Sequence, residues 1–254
     1  MPLTRADIPF ARLLRHGTEA GATAGAAAAL VMWLVVEPVI RRALVIEEAR
    51  GGGHDQVHAQ EPLVSRTLQV FGGAVTSALV GILFGVVFAV VFAKIRHRLP
   101  GSTDFGRALV LTASGFAVFT LVPALKLPAN PPTVGDPATV TERTLLYVLT
   151  LLLGLLVIGA VVAADRALRS RTVPLRVRGT VNIVVAVVGA VAILLLVPGS
   201  PDAVPGDVPA SLIWDFRLAS LAQLGTMWLG LGVVFGILVE SRTTASRPAV
   251  PVVV

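Results

Sequence analysis

Six apolar runs alternate with polar connections along the chain, at about residues 17–36, 67–93, 108–125, 144–164, 179–197 and 218–239. A helix rising about 1.5 Å per residue needs roughly 20 apolar residues to cross about 30 Å of hydrocarbon. The pattern therefore predicts an all-α integral membrane protein, a bundle of about six transmembrane helices. The first run is the weakest, rich in Ala and Gly with Glu19 near its start. Arg5, Arg12 and Arg15 precede it, as basic residues precede a secretory signal. It nevertheless flows into an acidic segment with no clear small-x-small cleavage site, so it is expected to be retained. One polytopic domain over residues 1–240 follows, with a disordered cytoplasmic tail over 241–254.

Small residues recur every fourth position within the runs. Gly17, Gly21, Gly25 and Ala29 form one series; Gly73, Ser77, Gly81, Gly85, Ala89 and Ala93 form another; Gly232 and Gly236 repeat the spacing. Such stripes let backbones approach where lipid supplies no hydrophobic force between helices. They predict close helix packing, although a glycine-lined path would read the same way.

Composition agrees with a lipid environment: 55% of residues are hydrophobic and 14% charged, against about 25% charged in soluble domains. Charge also sets sidedness. The N-terminus, the connections around Lys94–Arg107 and Arg166–Arg178, and the tail hold fourteen of the 21 Lys and Arg. Basic residues collect on the cytoplasmic side, so both termini are expected there, in a multi-pass protein of a prokaryotic inner membrane. The connections at 37–66, 126–143 and 198–217 are then external. A net charge of +6 reflects that orientation, not nucleic-acid binding. There is no cysteine, which excludes disulfides and thiolate metal sites. No phosphate-binding G-x-x-x-x-G-K-[ST] loop, H-E-x-x-H or G-x-S-x-G occurs, so the chain is not expected to be an enzyme.

Candidate chemistry collects in the external connections. Glu37 ends the first run and is followed by Pro38, which predicts a kink or break. A carboxylate at membrane depth needs a partner or a wet cavity. Arg41 and Arg42 offer a local pair one turn away. Beyond come Glu47 and Glu48, then "GGGHDQVHAQE" with His54, Asp55, His58 and Glu61. His54 and His58, four apart, can share a divalent ion with Asp55 or Glu61; the alternative is a solvated polar loop. The third connection and its approach, residues 122–143, are stiffened by five prolines and carry Lys126, Asn130 and Asp136. The fifth is also proline-rich and ends in Trp214, an interfacial anchor, followed by Asp215 and Arg217. Those two pair with each other or with residues of the other external loops. Arg66, Arg143 and Arg217 each open an apolar run after an external loop, the mark of a repeated two-helix unit or of chance. His16 and His97 stand among arginines, read here as orientation signals only.

The segments "GATAGAAAALVMWLVVEPVIRRALVIEEA", "LVPALKLPANPPTVGDPATVTERT" and "PASLIWDFRLASLAQLGTMW" together resemble the CbtA family of probable cobalt transporter subunits. The resemblance covers about residues 21–240. It implies uptake of Co2+ (or Ni2+) as cargo, with no permanently bound cofactor, often tied to cobalamin synthesis. It also implies a small single-helix, His-rich CbtB-like partner; a homo-oligomer is left open. The family's acidic and His-bearing loop maps onto Glu37, Glu47, His54 and His58. The chain departs from the family in having only two histidines there, and in showing six apolar runs where the family is described with five spans. Lys126, Asn130, Asp136, Arg143, Asp215 and Arg217 are candidates for the outer mouth. The alternatives are a membrane scaffold or a transporter of nickel or a small solute.

Overall fold

The computed structural model describes residues 8–51, 65–132 and 134–245, and side chains as far as residue 240. All regular structure among these residues is helical: α1 (Phe10–Val31), α2 (Glu37–Gly51), α3 (Arg66–Ile95), α4 (Asp104–Phe116), α5 (Val122–Lys126), α6 (Val140–Ser170), α7 (Leu175–Leu196) and α8 (Ala210–Ala245), with short π and 3-10 turns between some of them. Six continuous helical stretches are long and apolar enough to cross a membrane: Phe10–Arg50, Arg66–Arg98, Asp104–Lys126, Pro137–Ser170, Leu175–Leu196 and Ala210–Glu240. The last helix runs to Ala245, five residues into the stretch assigned to the tail, while 246–254 lie outside the described residues.

The chain forms two compact units. Among the described residues, one holds 8–38, 65–113 and 222–245; the other holds 39–51, 114–132 and 134–221. In the first unit, α1 buries a single face of Leu13, His16, Gly17, Ala20, Gly21, Ala24, Gly25 and Ala28. Its partner α3 buries Ser77, Gly81, Gly85, Phe88, Ala89 and Phe92. Gly17, Gly21 and Gly25 lie against Gly85, Gly81 and Ser77 in antiparallel register, backbone on backbone. A Cβ on Gly25 would stand 2.7 Å from the Ser77 carbonyl oxygen. The Ser77 hydroxyl uses this proximity, donating 3.3 Å to the Gly25 carbonyl. The four-residue stripes therefore serve packing. α8 completes the core with Met227, Leu231, Phe235 and Val239. Phe235 meets Phe88 and Phe92 edge-on, with centroids 5.1 Å from each. Glu240 accepts from the backbone N–H groups of Asp104 (3.0 Å) and Phe105 (3.2 Å), satisfying donors that the start of α4 leaves open.

In the second unit α6 packs along α7 and α5. Leu146, Ile193 and Val197 form its small core, with Val122, Leu127, Leu153 and Val157 against it. The α6–α7 end is tied by Asp165, which accepts from Arg178 (2.7 Å), Asn182 (3.2 Å) and Arg169 (3.2 Å).

Two helices carry the same local device. A π turn, Met32–Val36, precedes Glu37–Pro38, and another, Ala117–Leu121, precedes Val122–Pro123. Proline has no N–H for the helical ladder. The preceding amides reach back five residues instead, Glu37 to the Met32 carbonyl and Val122 to the Ala117 carbonyl. The widened turn lets each helix run on past its proline. The break expected at Pro38 is thus a π turn, and α2 continues to Gly51.

Candidate functional site

Glu37 sits where the π turn of the first span ends, with its side chain only 6% exposed. Arg66, at the first turn of α3, closes on it with both arms of its guanidinium: Nε donates to Oε1 at 3.1 Å and Nη2 to Oε2 at 2.5 Å. Ser65 caps α3 by accepting from the Leu68 N–H, which fixes the start of the helix that presents Arg66. Two parallel charge-assisted bonds hold a buried carboxylate in a defined orientation. The sequence offered Arg41 and Arg42 as close partners for Glu37. Arg66, twenty-nine residues on, is a partner no local spacing could indicate.

The polar connections of the second unit are organised by Asp202, a residue the sequence reading did not single out. Its side chain is 1% exposed. Oδ1 accepts from the Thr139 hydroxyl (2.7 Å) and the Asp136 N–H (3.4 Å). Oδ2 accepts from Arg143 Nη1 (3.0 Å) and Asn130 Nδ2 (3.4 Å). Arg217 donates to the Asn130 side-chain oxygen (3.2 Å) and to the Ala129 carbonyl (3.3 Å). Thus Asn130, Asp136, Arg143 and Arg217, predicted separately, lie in one hydrogen-bonded network joining the third and fifth connections. Lys126 is placed elsewhere, donating to the Leu194 carbonyl (2.9 Å) in the last turn of α7. Asp215 pairs with Arg42 (2.8 Å), which decides between the alternatives open for it. Arg50 grips both oxygens of Asp207 at 2.7 Å, a second pair the sequence did not reveal.

Burial alone would push the Asp202 carboxyl up. The Thr139 hydroxyl, the Asp136 amide, the Arg143 guanidinium and the Asn130 amide outweigh it and hold the group below the usual carboxylate range. The Arg50 hydrogen bonds lower Asp207 in the same way. A carboxyl whose folded pKa is depressed stabilises the fold above its unfolded pKa of about 3.9 and loses that contribution as pH falls through the folded value. Asp202→Asn is therefore expected to cost about 1–3 kcal/mol at neutral pH, since it strands Arg143 and breaks the network. The penalty shrinks as pH drops below about 4. Thermal unfolding of the purified protein between pH 3 and 7 measures it.

Glu47 is exposed on α2. His54, Asp55, His58 and Glu61 lie outside the described residues. Among the described residues no three His, Asp or Glu side chains are grouped to hold a metal ion. The described geometry thus consists of one carboxylate clamp at the end of the first span and one loop network, with charge pairs beside it.

A family model described as "Probable cobalt transporter subunit (CbtA)" matches residues 10–240. No curated protein and no solved structure matches the chain.

Proposed function

The chain belongs to the CbtA family of probable cobalt transporter subunits, and on that premise we propose that it admits Co2+ inward across a prokaryotic cell membrane. Both termini are cytoplasmic in this reading, and the connections at 37–66, 126–143 and 198–217 face outside, following the basic-residue bias. His54 and His58, with Glu47, Asp55 and Glu61, attract the hydrated ion and exchange part of its water. Glu37 receives it at the mouth of the membrane, and the loop network around Asp202 keeps the proline-rich connections in shape. No cofactor is bound permanently; the metal is cargo. The membrane potential supplies about 2.3 kcal/mol per charge per 100 mV.

The observation that carries the proposal is the Glu37 carboxylate, buried within the helical stretch Phe10–Arg50, which is long and apolar enough to cross a membrane, and held by Arg66. An intramembrane carboxylate is costly and marks ion paths. As a transporter subunit the chain has a partner, and we assign that role to a small single-helix, His-rich membrane protein. Imidazole and carboxylate ligands bind Ni2+ at least as well as Co2+, so selectivity is not set by these residues alone.

Uptake of 57Co2+ by cells expressing the chain with its partner tests the proposal. Glu37→Gln is expected to lower uptake at least tenfold, and His54→Ala/His58→Ala to raise the half-saturating Co2+ concentration severalfold. Excess unlabelled Ni2+ should compete only partly. Unchanged uptake in all these variants removes the entrance, and no uptake above background with the partner present favours a scaffold.

A further inference from the structure

We infer that the turn joining α6 and α7 holds the phosphate headgroup of an anionic phospholipid, with Arg166, Arg171 and Arg176 as its donors. Residues 165–178 carry five arginines against one acid, Asp165. Asp165 is committed within the turn, to Arg178 at 2.7 Å and to Arg169 at 3.2 Å. Between Glu142 and Asp202 the chain has no other carboxylate. Arg166, Arg171 and Arg176 are exposed, and none of their guanidinium groups has an ion pair or hydrogen bond among the described residues.

The backbone fixes where these three stand. Thr172 adopts a left-handed φ of 54°. The Thr172 and Val173 N–H groups close back onto the Arg169 and Leu168 carbonyls, which ends α6 in a tight turn. Pro174 then starts α7. Arg166 and Arg171 lie near the negative C-terminal pole of α6, which favours them. Arg176 and Arg178 instead open α7, at its positive pole, with no acidic residue in that first turn. Asp165 answers Arg178. An anion from outside the chain answers Arg176.

Depth selects a lipid as the source of that anion. The uncharged runs 144–164 and 179–197 end on either side of the cluster. Each is about 30 Å long as a helix, the thickness of the hydrocarbon core, so the arginines stand level with the headgroups. Only 6% of the apolar stretch of α7 is buried, against 17% to 39% in the other spans. Leu175 and Val177, on either side of Arg176, are 76% and 49% exposed. Acyl chains therefore have a free face of α7 to lie along while the phosphate meets the guanidiniums. A guanidinium binds phosphate oxygens in pairs, and each basic residue at this level strengthens the hold on anionic lipid roughly fivefold. Such a lipid binds whatever the cargo.

The full chain, purified in a neutral detergent, is offered phosphatidylglycerol and phosphatidylcholine of matched acyl length, and the lipids retained are counted by native mass spectrometry. Wild type is expected to prefer phosphatidylglycerol by about tenfold or more. Arg176→Gln is expected to weaken that preference about fivefold, and Arg166→Gln/Arg171→Gln/Arg176→Gln to abolish it. Arg12→Gln/Lys94→Gln/Arg98→Gln, which removes three other exposed cations, is expected to keep it. Should the α6–α7 triple variant fail to insert, Arg176→Gln carries the readout. Glycerol 1-phosphate, the headgroup without its chains, is expected not to compete. No preference in wild type, a preference that survives the α6–α7 substitutions, or an equal loss in the other triple variant overturns the inference. So does full competition by glycerol 1-phosphate, which makes the anion a soluble one. Retention of a polyglutamate peptide in place of phosphatidylglycerol makes the partner an acidic protein and overturns it as well.

Discussion

Replacing Arg66 with methionine is expected to destabilise the protein by up to about 3 kcal/mol, because it removes the guanidinium that binds both oxygens of the buried Glu37 carboxylate. Glu37 is 6% exposed and takes both guanidinium bonds from this one residue. Breaking a buried pair from one side costs more than removing the pair. The double variant Glu37→Gln/Arg66→Met is therefore expected to recover most of the loss, since a neutral amide demands far less of its surroundings. Thermal unfolding of the three variants in one detergent separates these cases. Equal losses in the single and double variants would mean that Arg66 stabilises by packing, not by charge. The double variant also separates fold from transport: it is expected to be stable and to take up little cobalt.

Gly85→Val is expected to have the largest effect of any single substitution in the first unit. A Cβ at this position collides with the Gly17 carbonyl oxygen and stands 2.8 Å from the Gly21 Cα. Both are backbone atoms, so no side chain can turn aside. Overpacking against flexible side chains costs about 1–3 kcal/mol, and backbone contact lies above that range. The α1–α3 pair is expected to separate, with loss of folded protein from the membrane fraction. Gly72, on the same helix, is the control. Nothing lies within 4 Å of a Cβ placed there, so Gly72→Ala is expected to be neutral or to stabilise by up to about 1 kcal/mol through helix propensity. Retention of the folded protein in lipid-matched detergent, measured for both variants, tests the contrast.

The spans, the all-helical class and the glycine pairing of the first two long helices were legible because each follows from a short-range rule. Apolar length predicts crossing, and a four-residue stripe of small side chains predicts contact. Which small residue meets which was not legible, because two stripes of equal spacing can slide past each other by four residues; the Gly17–Gly85, Gly21–Gly81 and Gly25–Ser77 register is seen only in the structure. The polar partnerships were not legible. Asp202 finds Arg143, Thr139 and Asn130 at separations of 59 to 72 residues, and no periodicity links a proline-rich loop to the start of a helix. Three arginines, at 66, 143 and 217, did stand out by opening apolar runs after loops. Each indeed binds a polar group brought from another element, but their partners differ, a glutamate, an aspartate and an asparagine with a carbonyl. At Pro38 the helix runs on through a π turn instead of breaking; that turn depends on which backbone carbonyl the Glu37 amide selects, which composition does not encode. The turning of Arg15 onto Glu19 is likewise a matter of side-chain geometry.

Inward uptake by this route requires the acidic and histidine-bearing connection to face outward, where a cation first meets the cell. The chain has no cysteine, so a single introduced thiol reports its own side of the membrane. Gly53→Cys and Ala203→Cys are expected to react with a membrane-impermeant maleimide on intact cells, and Ser170→Cys only after the membrane is opened. Labelling of Ser170→Cys on intact cells, with Gly53→Cys and Ala203→Cys protected until lysis, would put the proposed entrance in the cytosol and contradict inward uptake by this route.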